Sequence, residues 1–67
     1  MITIYRLISK KQDNIIKKFL KSYDLANYML GRRVGEYIVI KSDNNGDRVV
    51  EFTDYDVNTM QYTLDKA

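Results

Sequence analysis

"SKKQDNIIKKFLKSYDLANYMLG", residues 9–31, decides the fold. Read as one long helix, it opens with Ser9 and Gln12 at capping-box spacing. Ile15, Ile16, Phe19, Leu20, Tyr23, Ala26 and Leu30 then fall on one helical stripe, and Gly31 ends it. Read as strand, turn and short helix, "TIYRLIS" (3–9) and "IIKKFLK" (15–21) pair across a turn at Gln12-Asp13-Asn14. Ile8 then faces Phe19 and Leu7 faces Leu20. Ser22 becomes the N-cap of a helix that runs through "YDLANYML", buries Leu25, Ala26, Met29 and Leu30, and stops at Gly31.

The two alternatives differ in what they do with Ser22 and Asp24. A long helix holds both in its interior, where their side chains compete with the backbone, and leaves Leu25, Tyr28 and Met29 off the stripe. The hairpin-plus-helix pattern uses Ser22 as a cap. The preferred fold is therefore α+β, a small antiparallel sheet on one helix in the order ββαββ; the alternative is βαββ with one long helix.

Downstream, "SDNNGD" (42–47) separates "EYIVIK" from "RVVEFT". Asn and Gly tolerate the positive φ of a tight hairpin turn. A two-residue loop at Asn45-Gly46 sets Ile40 opposite Glu51. A three-residue loop at Asn44-Asn45-Gly46 pairs Ile40 with Val50 and Ile38 with Phe52, gathering four apolar side chains on one face. The second register is expected, with Gly46 left-handed, since a one-residue slip sends each set to the wrong side. Asp43, Asn45 and Asp47 do not match a calcium loop, because the glycine precedes Asp47 and no glutamate closes the loop. They read as turn formers. The tail "DYDVNTMQYTLDKA" is expected to form a helical turn or a short edge strand with Met60, Tyr62 and Leu64 on one side, and residues 65–67 are expected to fray.

Sixty-seven residues bound the chain to a single small domain. It holds no cysteine, histidine, proline or tryptophan. Disulfides, the usual zinc sites and the Cys–His or Ser–His–Asp arrangements are thereby excluded. Few side chains remain for acid–base chemistry, and a chain this short has little room for a deep pocket. A non-enzymatic role with no metal and no cofactor is expected. Arg6 interrupts the first apolar stretch, and no run approaches the roughly 20 residues of a membrane span. A cytoplasmic protein is expected. The richness in Ile, Lys, Asn, Asp and Tyr is that of an AT-rich coding sequence, pointing to a bacterial or phage source.

Charge is unevenly divided. Residues 1–35 carry eight cations against two carboxylates, a net +6, and residues 36–67 carry three against seven, a net −4. Candidate anion or nucleic-acid contacts are Lys10, Lys11, Lys17, Lys18, Lys21, Arg32 and Arg33. In the hairpin, Lys10 and Lys17 would face each other near the turn, and a basic two-stranded ribbon fits a major groove. "GRRVGEY" (31–37) lacks the context of a phosphate loop and reads as a helix-to-strand connection. Six tyrosines are many for this length, and tyrosine suits protein interfaces. Tyr55, between Asp54 and Asp56, is the best candidate for an exposed docking residue. The sequence thus points to a small binding protein, an accessory or inhibitor that docks on a larger protein, with self-association into a homodimer as an addition. The alternative is a nucleic-acid binder using the basic first half.

Overall fold

The computed structural model describes residues 2–53 and 55–67. In chain order the elements are β1 (Ile4–Ser9), β2 (Asn14–Phe19), α1 (Ser22–Tyr28), a 3-10 turn (Val34–Glu36), β3 (Tyr37–Asp43), β4 (Gly46–Glu51) and α2 (Val57–Lys66). The fold is α+β, with ββαββ followed by a second helix. The strands form one antiparallel sheet in the order β2-β1-β3-β4.

Alternation along each strand separates two faces. On one face Tyr5, Leu7, Val39 and Val50 are buried, and Leu25 and Ala26 of α1, Met29 at its C-cap, and Met60 and Leu64 of α2 close over them. Phe19, Tyr28, Tyr37, Phe52 and Tyr55 rim this core. The opposite face carries Ile4, Arg6, Ile8, Ile38 and Ile40, none of them buried, with Val49 exposed. No described element covers it.

The first hairpin turns earlier than expected. Lys10 to Asp13 form the loop, closed by a bond from the Asp13 N–H to the Ser9 carbonyl at 2.7 Å, with Asp13 at φ 55°. The Ser9 hydroxyl accepts from the Gln12 N–H at 3.3 Å. Tyr5 consequently faces Phe19 and Leu7 faces Lys17, while a register shift between Leu7 and Ile8 sets Ile8 against Ile15. The expected Ile8–Phe19 and Leu7–Leu20 pairs do not form, and Leu20 lies beyond the strand, exposed. The expected confrontation of Lys10 with Lys17 does not form either.

The second hairpin is also re-registered. Val39 pairs with Val50, Ile40 with Val49 and Asp43 with Gly46, so the loop is Asn44-Asn45. Gly46 does take positive φ, 102°. Asp43 braces the turn by accepting from the Asn45 N–H at 2.8 Å and from both terminal nitrogens of Arg48. Ile38 and Ile40 therefore point away from the helices. Both faces of β3 are apolar, so hydrophobic patterning alone does not choose between them. Lys41, which shares the face of Val39, reaches the end of α2 and fixes the choice.

Helix α1 begins with Lys21 rather than Ser22 at the N-cap position, without a side-chain cap. The buried Ser22 hydroxyl instead donates to the Asp65 carboxylate at 2.6 Å, a tertiary bond that replaces the expected capping bond. Gly31, at φ 78°, follows the helix. Leu30 is exposed rather than buried, because the helical turn ends before it. At the C-terminus the chain forms a full ten-residue helix. Met60 and Leu64, four apart, are buried, and Tyr62 is exposed on the other side. Residues 65–67, where fraying was expected, engage Ser22 and Lys41. No helix among the described residues is long and apolar enough to cross a membrane.

Candidate functional site: a basic sheet edge

The strand order decides what becomes of the divided charge. β2, with Lys17 and Lys18, forms one edge of the sheet, and β4, with Asp47 and Glu51, forms the other. Three strand spacings separate the edges, about 14 Å, which exceeds the screening length at physiological salt. Among the described residues only two ion pairs form. Arg48 is held by Asp43, neighbours in one hairpin. Lys10 meets Glu51 at 3.1 Å, the one pair that links the two halves. The remaining cations of the first half have no carboxylate within salt-bridge distance among the described residues.

Lys17 and Arg32 converge on one ring. The bulge in β2 turns Lys17 onto the helical face of the sheet edge, where its ammonium lies 4.9 Å from the centre of the Tyr28 ring and 5.5 Å from that of Phe19. The Arg32 guanidinium carbon lies 4.3 Å from the same Tyr28 ring, and its Nε donates to the Tyr28 carbonyl at 3.3 Å. Phe19 and Tyr28 are tilted against each other with centroids 5.3 Å apart. Rings this close to cations attract them and limit their excursions. Two cations thus contact one half-buried aromatic pair, and each retains N–H donors for oxygen anions such as carboxylates or phosphates.

The other expected contacts scatter around this centre. Lys11 is exposed on the first turn, and the Lys10 N–H bonds to the Glu36 carbonyl at 2.9 Å, which brings that turn beside the 3-10 turn that follows Arg33. Lys18 projects from the uncovered face beside Arg6. Lys21 lines an open cleft of about 640 Å³ at the start of α1, together with Ile2, Leu20, Tyr23 and Asp65. Of the seven cations, Lys17 and Arg32 share the Tyr28 ring, Lys10 is paired with Glu51, Lys11 and Arg33 are exposed on the neighbouring turns, and Lys18 and Lys21 lie elsewhere.

The candidate docking segment is only partly exposed, with Asp56 outward and Tyr55 turned in. Tyr55 is half-buried, and its hydroxyl donates to the Ala26 carbonyl at 2.6 Å, tying the segment before α2 to α1. Burial, and secondarily the charge of Asp56, raises the Tyr55 phenol above its ordinary value. Asp56 is the N-cap of α2, accepting from Asn58 and Thr59 N–H groups at 2.9 and 3.2 Å. Asp54 lies outside the described residues. The aromatic residue at the basic edge is Tyr28, the last residue of α1; Arg32 follows it beyond the helix, past Gly31, and reaches back over its ring.

Among the described residues no three histidine, cysteine, aspartate or glutamate side chains gather as metal ligands would. Comparison with known proteins finds no family model, no curated protein and no solved structure that matches the chain.

Proposed function

We propose that this chain is a small non-enzymatic binding protein, of the accessory or inhibitor kind, that docks on an acidic surface of a larger protein through its basic edge. The observation that carries the proposal is the pair of cations, Lys17 and Arg32, set on the Tyr28 ring at the edge farthest from the acidic strand β4. Tyrosine and arginine are the residues that most often anchor protein interfaces. A cation already resting on a ring loses less freedom on binding than a free one.

The test is a cross-linked capture from bacterial cells, comparing the native chain with Lys17→Glu/Arg32→Glu. A partner held by the native chain and lost by the charge-reversed one supports the proposal. Equal capture by both removes this edge as the contact.

The nucleic-acid alternative draws on the same cations. Titration with a generic duplex and a single-stranded oligonucleotide discriminates the two. Three phosphate contacts predict a loss of about 40-fold in affinity between about 50 and 200 mM salt. No binding at the lower salt removes the alternative.

A further inference from the structure

We infer that the uncovered face of the sheet is a dimerisation surface that receives a second copy of this chain. Six branched apolar side chains line it: Ile4, Ile8, Ile15, Ile38, Ile40 and Val49. They project from the face opposite the helices and take no part in the core. Ile15 and Val49 are 48% and 66% exposed. The patch runs across all four strands and is interrupted by Arg6 and Lys18.

Charge on the same face names the occupant. The register places Lys18, Arg6, Ile40 and Val49 in one row across the sheet, and Ile15, Ile8, Ile38 and Glu51 in the next. Lys18 thus sits at the β2 side of the face, Arg6 near its middle bonded to the Ser42 hydroxyl, and Asp47 with Glu51, the latter paired with Lys10, at the β4 side. A two-fold axis parallel to the strands lays β2 of one copy over β4 of the other, in the aligned packing common to stacked sheets. Lys18 then lies over Val49 of the second copy, flanked by that copy's Asp47 and Glu51. Ile8 meets Ile38, and the reciprocal contacts form by symmetry. A two-fold across the strands would set Lys18 on Lys18, so like charges reject that alternative. A face whose two sides neutralise each other on rotation is complementary to itself.

The size of the face sets the strength. It spans about 14 Å across and about 17 Å along the strands, well short of the roughly 800 Å² per partner of a tight complex. The dimer is therefore expected to be weak.

Sedimentation equilibrium of the full chain from about 10 µM to about 1 mM tests this. The native chain should pass from monomer to dimer across that range, and Ile40→Glu should remain monomeric while keeping its circular dichroism spectrum. A charge-swap mixture removes dependence on folding. Lys18→Glu alone and Asp47→Lys/Glu51→Lys alone should each weaken dimerisation tenfold or more, and an equimolar mixture should restore it as a heterodimer. A native chain that stays monomeric at about 1 mM, or a mixture that fails to associate, overturns the inference.

Discussion

The ammonium of Lys41 lies 2.7 Å from the main-chain oxygen of Leu64, and it also donates to the oxygens of Asp65 and Ala67 at 3.3 and 3.0 Å. A lysine only 5% exposed thus caps the last turn of α2 from the middle of the sheet. The carbonyls at a helix C-terminus lack intrahelical partners and carry partial negative charge, so one buried cation satisfies both needs. Lys41→Met keeps the apolar stem and removes the donors. The expected loss is about 2–3 kcal/mol, the cost of leaving buried carbonyls unpaired. In a domain this small that lowers Tm by roughly 10–20 °C. Thermal unfolding followed by circular dichroism measures it, and a shift of only a few degrees would show that the capping bonds contribute little.

Tyr55 and Asp56 make a contrasting case, because the structure employs both internally. Tyr55→Phe removes one hydrogen bond to Ala26 and is expected to cost about 1 kcal/mol. Asp56→Ala removes the cap of α2 and is expected to cost a similar amount. Urea titration gives both values. Capture of a partner in cells should be unchanged by Tyr55→Phe, while Lys17→Glu/Arg32→Glu abolishes it. Selective loss of the partner in Tyr55→Phe, with stability intact, would return docking to that segment.

The legible parts of this fold were those written in local chemistry. Asn44, Asn45 and Gly46 announce a hairpin turn and a short helix does form before Gly31, although the loop is Asn44-Asn45 rather than three residues and Ser22 does not cap the helix. Registers were not legible, because β3 is apolar on both faces and the choice rests on Lys41 meeting a helix end 23 residues away. The alternation of Met60, Tyr62 and Leu64 fits a strand, yet Met60 and Leu64 also fit one face of a helix, and Asp56 supplies its cap. The charge split was visible in the sequence, but its survival depended on strand order, which no local pattern encodes. Tyr55 misled because acidic neighbours argue for water, whereas the ring turns inward to Ala26.

Three titrating groups predict the shape of the pH–stability curve. Hydrogen bonds from the Arg48 guanidinium, and next from the Asn45 N–H, hold the Asp43 carboxyl below its ordinary value. A depressed acid favours the folded state fully above pH ~4 and loses that contribution as pH falls through the folded value. Burial raises the phenols of Tyr5 and Tyr55, with the charges of Asp65 and Asp56 adding respectively. Their contribution is complete below pH ~10 and is lost as pH rises through the folded values. Urea midpoints should therefore fall at both extremes. Tyr5→Phe/Tyr55→Phe should flatten the alkaline limb and leave the acid limb alone, whereas Asp43→Asn should do the reverse. An alkaline limb unaltered in the double variant would assign it to other groups.

Val49 and Val50 are adjacent, chemically identical and oppositely placed. Val50 faces the helices at 6% exposure, and Val49 points to the uncovered face at 66%. Burying the two methyls that Val→Ala removes is worth about 1.6 kcal/mol, and the cavity left behind adds to that. Val50→Ala should therefore cost about 2 kcal/mol. Val49→Ala, at the surface, should stay within about 0.5 kcal/mol of the native chain. Both are measured by urea unfolding at low micromolar concentration, where the proposed dimer is dissociated. A hairpin slipped by one residue in β4 would reverse the order of the two values. Equal costs would mean that β4 samples both registers, so this pair of small substitutions reads out which face of the last strand meets the core.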